Sequence, residues 1–430
     1  MGILRGDTAS RKGSRIRGAR AAAVLMAGAM TATMASVAAP EASAADFYMP
    51  PANIADTPGA VLKTQSIPLV MQIPGIKNQW PGNAKKVMYT SRDIHDKPVA
   101  VTGTVVEPTA PWTGKGPRPT VVVGSGTIGQ GDQCAPSKQM SFPMSIDVTK
   151  PSIAFNYTAP EMYIFLLNGV RVFVTDYIGL GTPGIHTYVN RAETGHAMLD
   201  GARAAINASG ASKDSPVGFV GYSQGGGAAA SAAELAQTYA PELKVKATYA
   251  GAPPADLRKV LAAVDGTTIS AAIGYTINGM TDRYPALREL VNKEASPSGL
   301  AKLKQISTQC IGDSILSTAF QRTSGWTKSG KTLSQLVDMY PEAIAVLEEN
   351  RIGKLKPNAP VYLQGGLHDD VIPYGQVRDL YRNWTAQGAK VTFHTDSTPP
   401  ILTKVIVNHV VPMLATLLPG TDFVLDHLRK

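Results

Sequence analysis

A serine flanked by glycines, Gly221-Tyr222-Ser223-Gln224-Gly225, stands between four mostly apolar residues, Val217 to Val220, and a block of small residues from Gly227 to Ala233. The apolar run reads as a buried strand and the small-residue block as a helix, which puts the serine on the turn between them. In this Gly-x-Ser-x-Gly arrangement a sharp, strained turn lifts the hydroxyl clear of the backbone at a strand's end. Glycines flank it because the helix packs so close to the strand that side chains at Gly221 and Gly225 would collide. The helix N-terminus then points free N–H groups and its dipole at developing negative charge. The pattern predicts Ser223 as the nucleophile of an acyl transfer, with the Gln224 N–H as one donor to the oxyanion.

Such a serine needs a base to take its proton and a carboxylate to hold that base. In hydrolases with this turn the chain order is Ser, acid, His, with the partners on loops after later strands. The β-rich run Val361 to Gln364 opens into Gly365-Gly366-Leu367-His368-Asp369-Asp370. Asp369 is the predicted acid, and Asp370 is expected to cap the following Val371-Ile372-Pro373 segment. Three consecutive residues rarely converge on one ion, so His368-Asp369-Asp370 is not read as a metal site, and neither a metal nor a cofactor is expected. Of the later histidines, His394 falls in a strand pattern and His427 in a C-terminal helix. His409, in Asn408-His409-Val410 before Pro412 and a helical stretch, is the predicted base, in the last loop. His95, His186 and His196 precede Ser223 and are expected to be structural.

A second glycine-rich loop, Gly124-Ser125-Gly126-Thr127-Ile128-Gly129-Gln130-Gly131, follows the apolar strand Thr120 to Val123. It lacks the Lys and Ser/Thr of a phosphate-binding Walker loop and the setting in front of a helix that a dinucleotide loop requires. Its glycines suit the close approach of backbone to a substrate oxygen, so it is read as the source of a second oxyanion donor, Thr127 or Ile128.

The elements that must position these groups follow from the wider pattern. Ala45 to about Trp80 is rich in Pro, Ala and Gly and reads as an irregular surface arm. Lys86 to Tyr89 and Val99 to Val106 form a hairpin around Asp93 to Lys97. Val170 to Thr175, Val245 to Tyr249 and Lys390 to His394 are further strands, with a crossover helix at His196 to Ile206. From about Leu257 to Lys354 strand signals vanish and helical patterns dominate. The expected architecture is α/β, a mostly parallel sheet with helices on both faces, in two core parts, 45–256 and 355–430, interrupted by a helical lid or cap at 257–354.

The 430 residues, 44 % hydrophobic, are enough for a large core. Residues 1–44 carry six basic side chains ahead of an uncharged run, Ala21 to Pro40, and end in Ala42-Ser43-Ala44, the pattern of a secretory signal peptide removed near Ala44. No later stretch is long and apolar enough to span a bilayer. The net charge of +9 falls when that segment leaves, and what remains is too mild and dispersed for nucleic acid. In an exported chain the two cysteines, Cys134 and Cys310, most simply form one disulfide. A monomer is expected.

Several of these pieces together resemble the secretory lipases of the fungal lipase A type and their actinobacterial relatives. They are Lys86-Val87-Met88-Tyr89-Thr90-Ser91, the loop Gly126 to Asp132 followed by Cys134-Ala135-Pro136-Ser137, Thr175-Asp176-Tyr177 with Gly179-Leu180-Gly181, the Gly221 to Gly225 turn, and Asp369-Asp370-Val371-Ile372-Pro373-Tyr374. The resemblance spans about Pro58 to His409. It implies an α/β-hydrolase core with a helical lid, a triad of Ser223, Asp369 and His409, ester hydrolysis without a cofactor, and a bond from Cys134 to Cys310. One departure stands out: the family's loop often carries His-Gly-Thr, and here Ser125 takes the histidine's place. The expected function is a secreted serine esterase or lipase acting on an ester or lipid, with a lipid–water interface as a possible partner. The alternatives are a secreted acyltransferase with the same triad and a non-catalytic lipid-binding protein on a hydrolase fold.

Overall fold

Val121, Val122 and Val123 are all fully buried, as an unbroken β-branched run requires of a strand covered on both faces. In the computed structural model, which describes residues 47–70, 72–73, 76–141, 144–147 and 152–430, this run belongs to a nine-stranded sheet. The export signal read in residues 1–44 lies outside the described residues.

The chain builds β1 (Val61–Ile67), β2 (Gly82–Arg92), β3 (Pro98–Pro108) and β4 (Thr120–Gly124), then a separate two-stranded ribbon of β5 (Met144–Asp147) and β6 (Ser152–Phe155). There follow α1 (Ala159–Leu167), β7 (Arg171–Thr175), α2 (Arg191–Ala208), β8 (Pro216–Tyr222), α3 (Gln224–Tyr239) and β9 (Lys244–Gly251). Seven helices come before the next strand: α4 (Leu257–Val264), α5 (Ala271–Arg283), α6 (Pro285–Glu294), α7 (Pro297–Ile306), α8 (Ile311–Thr318), α9 (Leu333–Met339) and α10 (Pro341–Glu349). The core resumes with β10 (Val361–Gly366), α11 (Tyr374–Ala386), β11 (Val391–Asp396) and α12 (Val407–Leu428).

The sheet order is β1-β2-β3-β7-β4-β8-β9-β10-β11. The six strands from β7 to β11 run parallel, and β1 to β3 form an antiparallel edge. The serine strand β8 thus lies deep in the parallel part, where loops at the carboxyl ends of neighbouring strands can converge. On one face α2 and α3 pack over Phe173, Phe219 and Val122, and the alanines 228, 229 and 232 let α3 lie close to the sheet. On the other face α12 presses onto the sheet so closely that a side chain at Gly218 would meet Val424.

Several elements are absent from the sequence reading, among them the β5–β6 ribbon, α11, β1 and α1. The arm before Trp80 includes β1, which pairs antiparallel with β2 through a register shift between Val61 and Lys63. Half-exposed on an edge, it lacks the buried alternation that marks an inner strand. Helix α1 buries Met162, Phe165 and Leu166 along with its first turn, so it has no polar face to betray a helical period.

Among the ties between the helical insertion and the core is one at the glycine-rich loop. Cys134 and Cys310 form a disulfide, and beside it the glycine-rich loop pairs with the chain before α8: Gln130 N donates to Gln309 O at 3.0 Å and Ile311 N to Ile128 O at 2.9 Å.

Candidate active site

Ser223 sits between β8 and α3 with φ 60° and ψ −122°, a backbone conformation that costs a non-glycine residue about 1–3 kcal/mol. Its N–H donates to Gly251 O at 2.9 Å and its carbonyl accepts from Gly227 N at 2.9 Å, which fixes the turn from both sides. The flanking glycines are required by contact. A Cβ at Gly221 would strike the Gly225 backbone, one at Gly225 the carbonyl of Gly124, and one at Gly226 the carbonyl of Gly251. The absence of side chains is thus what brings the end of β4 against the start of α3.

The candidate acid and base, Asp369 and His409, follow β10 and open α12. His409 Nδ1 and Asp369 Oδ2 lie 2.7 Å apart, both groups buried. Asp369 is held in turn, because its Oδ1 accepts from Val371 N at 2.9 Å and Ile372 N at 2.8 Å. This corrects the expectation for the acid pair: Asp369 both meets the imidazole and caps the next segment. Asp370 turns away and accepts from Lys404 N at 2.6 Å and Asn408 Nδ2 at 3.4 Å, securing the chain that leads to His409. Burial raises the Asp370 carboxyl above its ordinary range.

His409 lies in the first turn of α12, not in the preceding loop, and its N–H donates to Ile406 O at 2.9 Å. Ile406 starts that helix at φ 64°, so the tight turn into α12 hides the boundary from the sequence pattern. Tyr222, the residue before the nucleophile, donates its hydroxyl to His409 O at 2.9 Å. His409 is thus tied to the strand that carries Ser223. With Nδ1 engaged by Asp369, Nε2 is the nitrogen left for proton transfer. His394 lies in β11 and His427 in α12, its Nδ1 2.8 Å from Phe423 O.

Ser223, Gln224 and Thr127 line one cavity of about 30 Å³ together with Val371 and Ile372. The Thr127 hydroxyl is 2.6 Å from the Tyr188 hydroxyl. Ile128 lies instead in a buried cluster with Ala135 and Leu180, and its carbonyl is taken by Ile311. Of the two candidates for a second oxyanion donor, Thr127 therefore faces the cavity and Ile128 does not.

Supports for this arrangement come from residues that no spacing rule singles out. Burial holds the His186 imidazole down to about 4, against the opposing pull of its bond to Ile178. A neutral ring places a proton on Nδ1, which donates to Ile178 O at 3.2 Å, and leaves Nε2 to accept from the Gln224 side-chain amide at 2.9 Å. Tyr177, itself at φ 69°, donates its hydroxyl to Ser125 O at 2.8 Å under the glycine-rich loop. Asp176 accepts from Ser137 N at 2.7 Å, from the Ser137 hydroxyl and from Thr102 Oγ1 at 2.6 Å, anchoring the segment after Cys134. Among the described residues no group of three or more His, Cys, Asp or Glu is placed to hold a metal ion, and no helix is long and apolar enough to cross a membrane.

Residues 148–417 match the family described as secretory lipase. Over 360 residues the chain is 27 % identical to a probable inactive lipase of Mycobacterium tuberculosis, covering 81 % of this chain and 76 % of that one. Over 394 residues it is 26 % identical to a secreted triacylglycerol lipase of Malassezia globosa, covering 89 % and 80 %. Among solved structures, Candida antarctica lipase A in its closed state superposes with a TM-score of 0.73 at 22 % identity, covering 90 % of this chain and 88 % of that one. The last likeness establishes the α/β-hydrolase fold.

Proposed function

The chain belongs to the secretory lipase family, and from that membership and the geometry of the site we propose that it is a secreted serine hydrolase of lipid carboxylic esters. The observation that carries this reading is the buried 2.7 Å contact of His409 with Asp369, on a helix tied to the turn that presents Ser223. In the proposed reaction Ser223 Oγ attacks the ester carbonyl while His409 Nε2 takes its proton. The N–H groups of Gln224 and Thr127 receive the oxyanion. Collapse expels the alcohol, which takes the proton from His409 and leaves an acyl-Ser223 ester. Water, deprotonated by His409, then attacks that ester, and as the acyl–oxygen bond breaks His409 returns the proton to Ser223 Oγ and the acid is released. Asp369 holds the imidazole and stabilises its charged form throughout.

The acyl chain is proposed to leave Ser223 toward the insertion. Leu261 and Thr276 line both the cavity at Ser223 and a larger one of about 120 Å³ lined by α4 to α7, α9 and α10. The wall of that larger cavity is almost wholly apolar, with Leu290, Val291, Leu336 and Ala343 among its residues, which suits a hydrocarbon chain. The insertion would then act as a cap that chooses the acyl group.

The test is hydrolysis of p-nitrophenyl esters by purified protein and by Ser223→Ala. Loss of about 10⁴-fold or more in kcat is expected; equal rates in both would end the proposal. One relative's name, probable inactive lipase, favours a second reading, a lipid-binding protein that does no chemistry. Failure of a fluorophosphonate probe to label the folded wild-type protein at Ser223 would select it. Transfer of the acyl group to an added alcohol in preference to water would instead select an acyltransferase.

A further inference from the structure

Across the serine turn from the acyl side lies a second cavity of about 30 Å³, between the start of α1 and α12. Gly124, Gly126 and Tyr222 form one side of it, and Met413, Leu414 and Leu417 the other. It shares no residue with the cavity at Ser223, yet the two alternate along the same turns. Gly126 lines this one and Thr127 the other; Tyr222 lines this one and Ser223 the other. Met413 stands one helical turn beyond His409 on α12, so this cavity is on the histidine's side. An ester carbon carries an acyl arm and an alkoxy arm, and the histidine must reach the second of these to protonate it.

Glu161, in the first turn of α1, lines this second cavity with 8 % of its surface exposed. It makes no hydrogen bond and no ion pair with any described residue. A buried carboxyl without a partner is costly, and an apolar residue would fill the position at less expense. Neighbouring hydroxyls do not serve it: Thr158 donates to Asn156 Oδ1 at 2.7 Å, Tyr222 to the His409 carbonyl, and Tyr157 is bonded to Ser125. The carboxyl is left open to the cavity, where a ligand's hydroxyl can donate to it. The space suits about two water-sized groups, which fits free hydroxyls and not a second acyl chain.

We propose that this cavity receives the alcohol part of the ester and that Glu161 accepts a hydrogen bond from a free hydroxyl on it, which makes esters of polyols with unesterified hydroxyls, such as monoacylglycerols, the favoured substrates. This inference rests on the hydrolase reading above. The test compares glycerol monobutanoate with n-propyl butanoate, which share the acyl group and the three-carbon alcohol skeleton and differ by two hydroxyls. The ratio of kcat/KM for the glyceryl ester to that for the propyl ester is measured in wild type, Glu161→Leu and Leu414→Trp. Because it is a ratio within one preparation, partial misfolding of a variant leaves it unmoved.

Glu161→Leu is expected to lower the ratio about tenfold or more, and Leu414→Trp, which narrows the cavity mouth, to lower it as well. Glu161→Gln, which keeps an acceptor oxygen, should recover most of the wild-type ratio. A ratio within twofold of wild type in both Glu161→Leu and Leu414→Trp overturns the inference while leaving the hydrolase reading intact. Turnover of neither ester by wild type, with no fluorophosphonate label at Ser223, ends both.

Discussion

Around Ser223, glycines at 221, 225 and 226 serve to let backbone touch backbone. In the helices described between Leu257 and Glu349, side chains stand back from one another and leave a cavity of about 120 Å³. The first region has its geometry fixed by the peptide chain itself: a strained φ at Ser223, backbone packed too closely for a Cβ at Gly221, Gly225 or Gly226, and an Asp369 carboxylate held by two N–H groups. The second is bounded by side chains of helices, Leu290, Val291, Leu336 and Ala343 among them, that could be exchanged for larger or smaller ones without moving a strand. Bond-making tolerates little displacement, whereas choosing a hydrocarbon chain needs only room of a certain shape. The difference explains why one fold can keep its chemistry and change what it acts on.

The contrast can be broken from either side. The largest effect is expected in the rigid region, where Asp369→Asn should lower kcat on p-nitrophenyl butyrate by about 10⁴-fold, because the amide cannot hold the imidazole in the tautomer the serine needs. Asp370→Asn, one residue on, should cost less than about tenfold. Comparable losses in the two would mean that the pair shares the task. Next comes the tie between the regions. The Cys134–Cys310 bond spans 176 residues, and Cys134→Ala with Cys310→Ala should reduce the unfolding free energy by roughly 5 kcal/mol on the chain-entropy account, read by urea denaturation. An unchanged midpoint would show that the insertion docks without it.

Smaller and more selective is Ala343→Phe, placed in the wall of the large cavity. The ratio of kcat/KM for a C12 to a C4 ester should fall about tenfold, as expected when a chain loses several buried methylenes. A ratio that stays put would remove the acyl chain from that cavity. The smallest effect concerns Glu161, whose carboxyl burial lifts from 4.5 to about 7. A group with a raised folded value takes up a proton on folding, so its contribution to stability is complete below pH 4.5 and is lost as the pH rises to about 7. Glu161→Gln should therefore match wild type in Tm near pH 4 and exceed it by about 2–4 °C above pH 7. A difference that does not vary with pH would mean the carboxyl is solvated.

Much of the fold was legible because its signals are local. The run Val121 to Val123 is apolar, the glycines bracket Ser223, and strand patterns give way to helical ones from about Leu257 to Lys354. What could not be read depended on distant partners. Strand β1 is half-exposed and becomes a strand through pairing with β2. The split of labour between Asp369 and Asp370 follows from where Lys404, Asn408 and His409 arrive, more than thirty residues later. His186 gains its role from a glutamine 38 positions on.

The sequence alone determined which residue types stand in which order along this chain. A serine on a glycine-bracketed turn, an acid after a later strand and a histidine near the end follow a chain order that leaves few other assignments, because the residue types and the strand–turn–helix pattern are local properties. Only the tertiary structure decided which carbonyls, hydroxyls and cavities surround those residues. Thr127 faces the serine and Ile128 does not because the loop is pinned to the insertion beside Cys310. Glu161 stands at the alcohol side because α1 and α12 meet there. Such neighbours are set by packing across the whole sheet, and no stretch of sequence contains them.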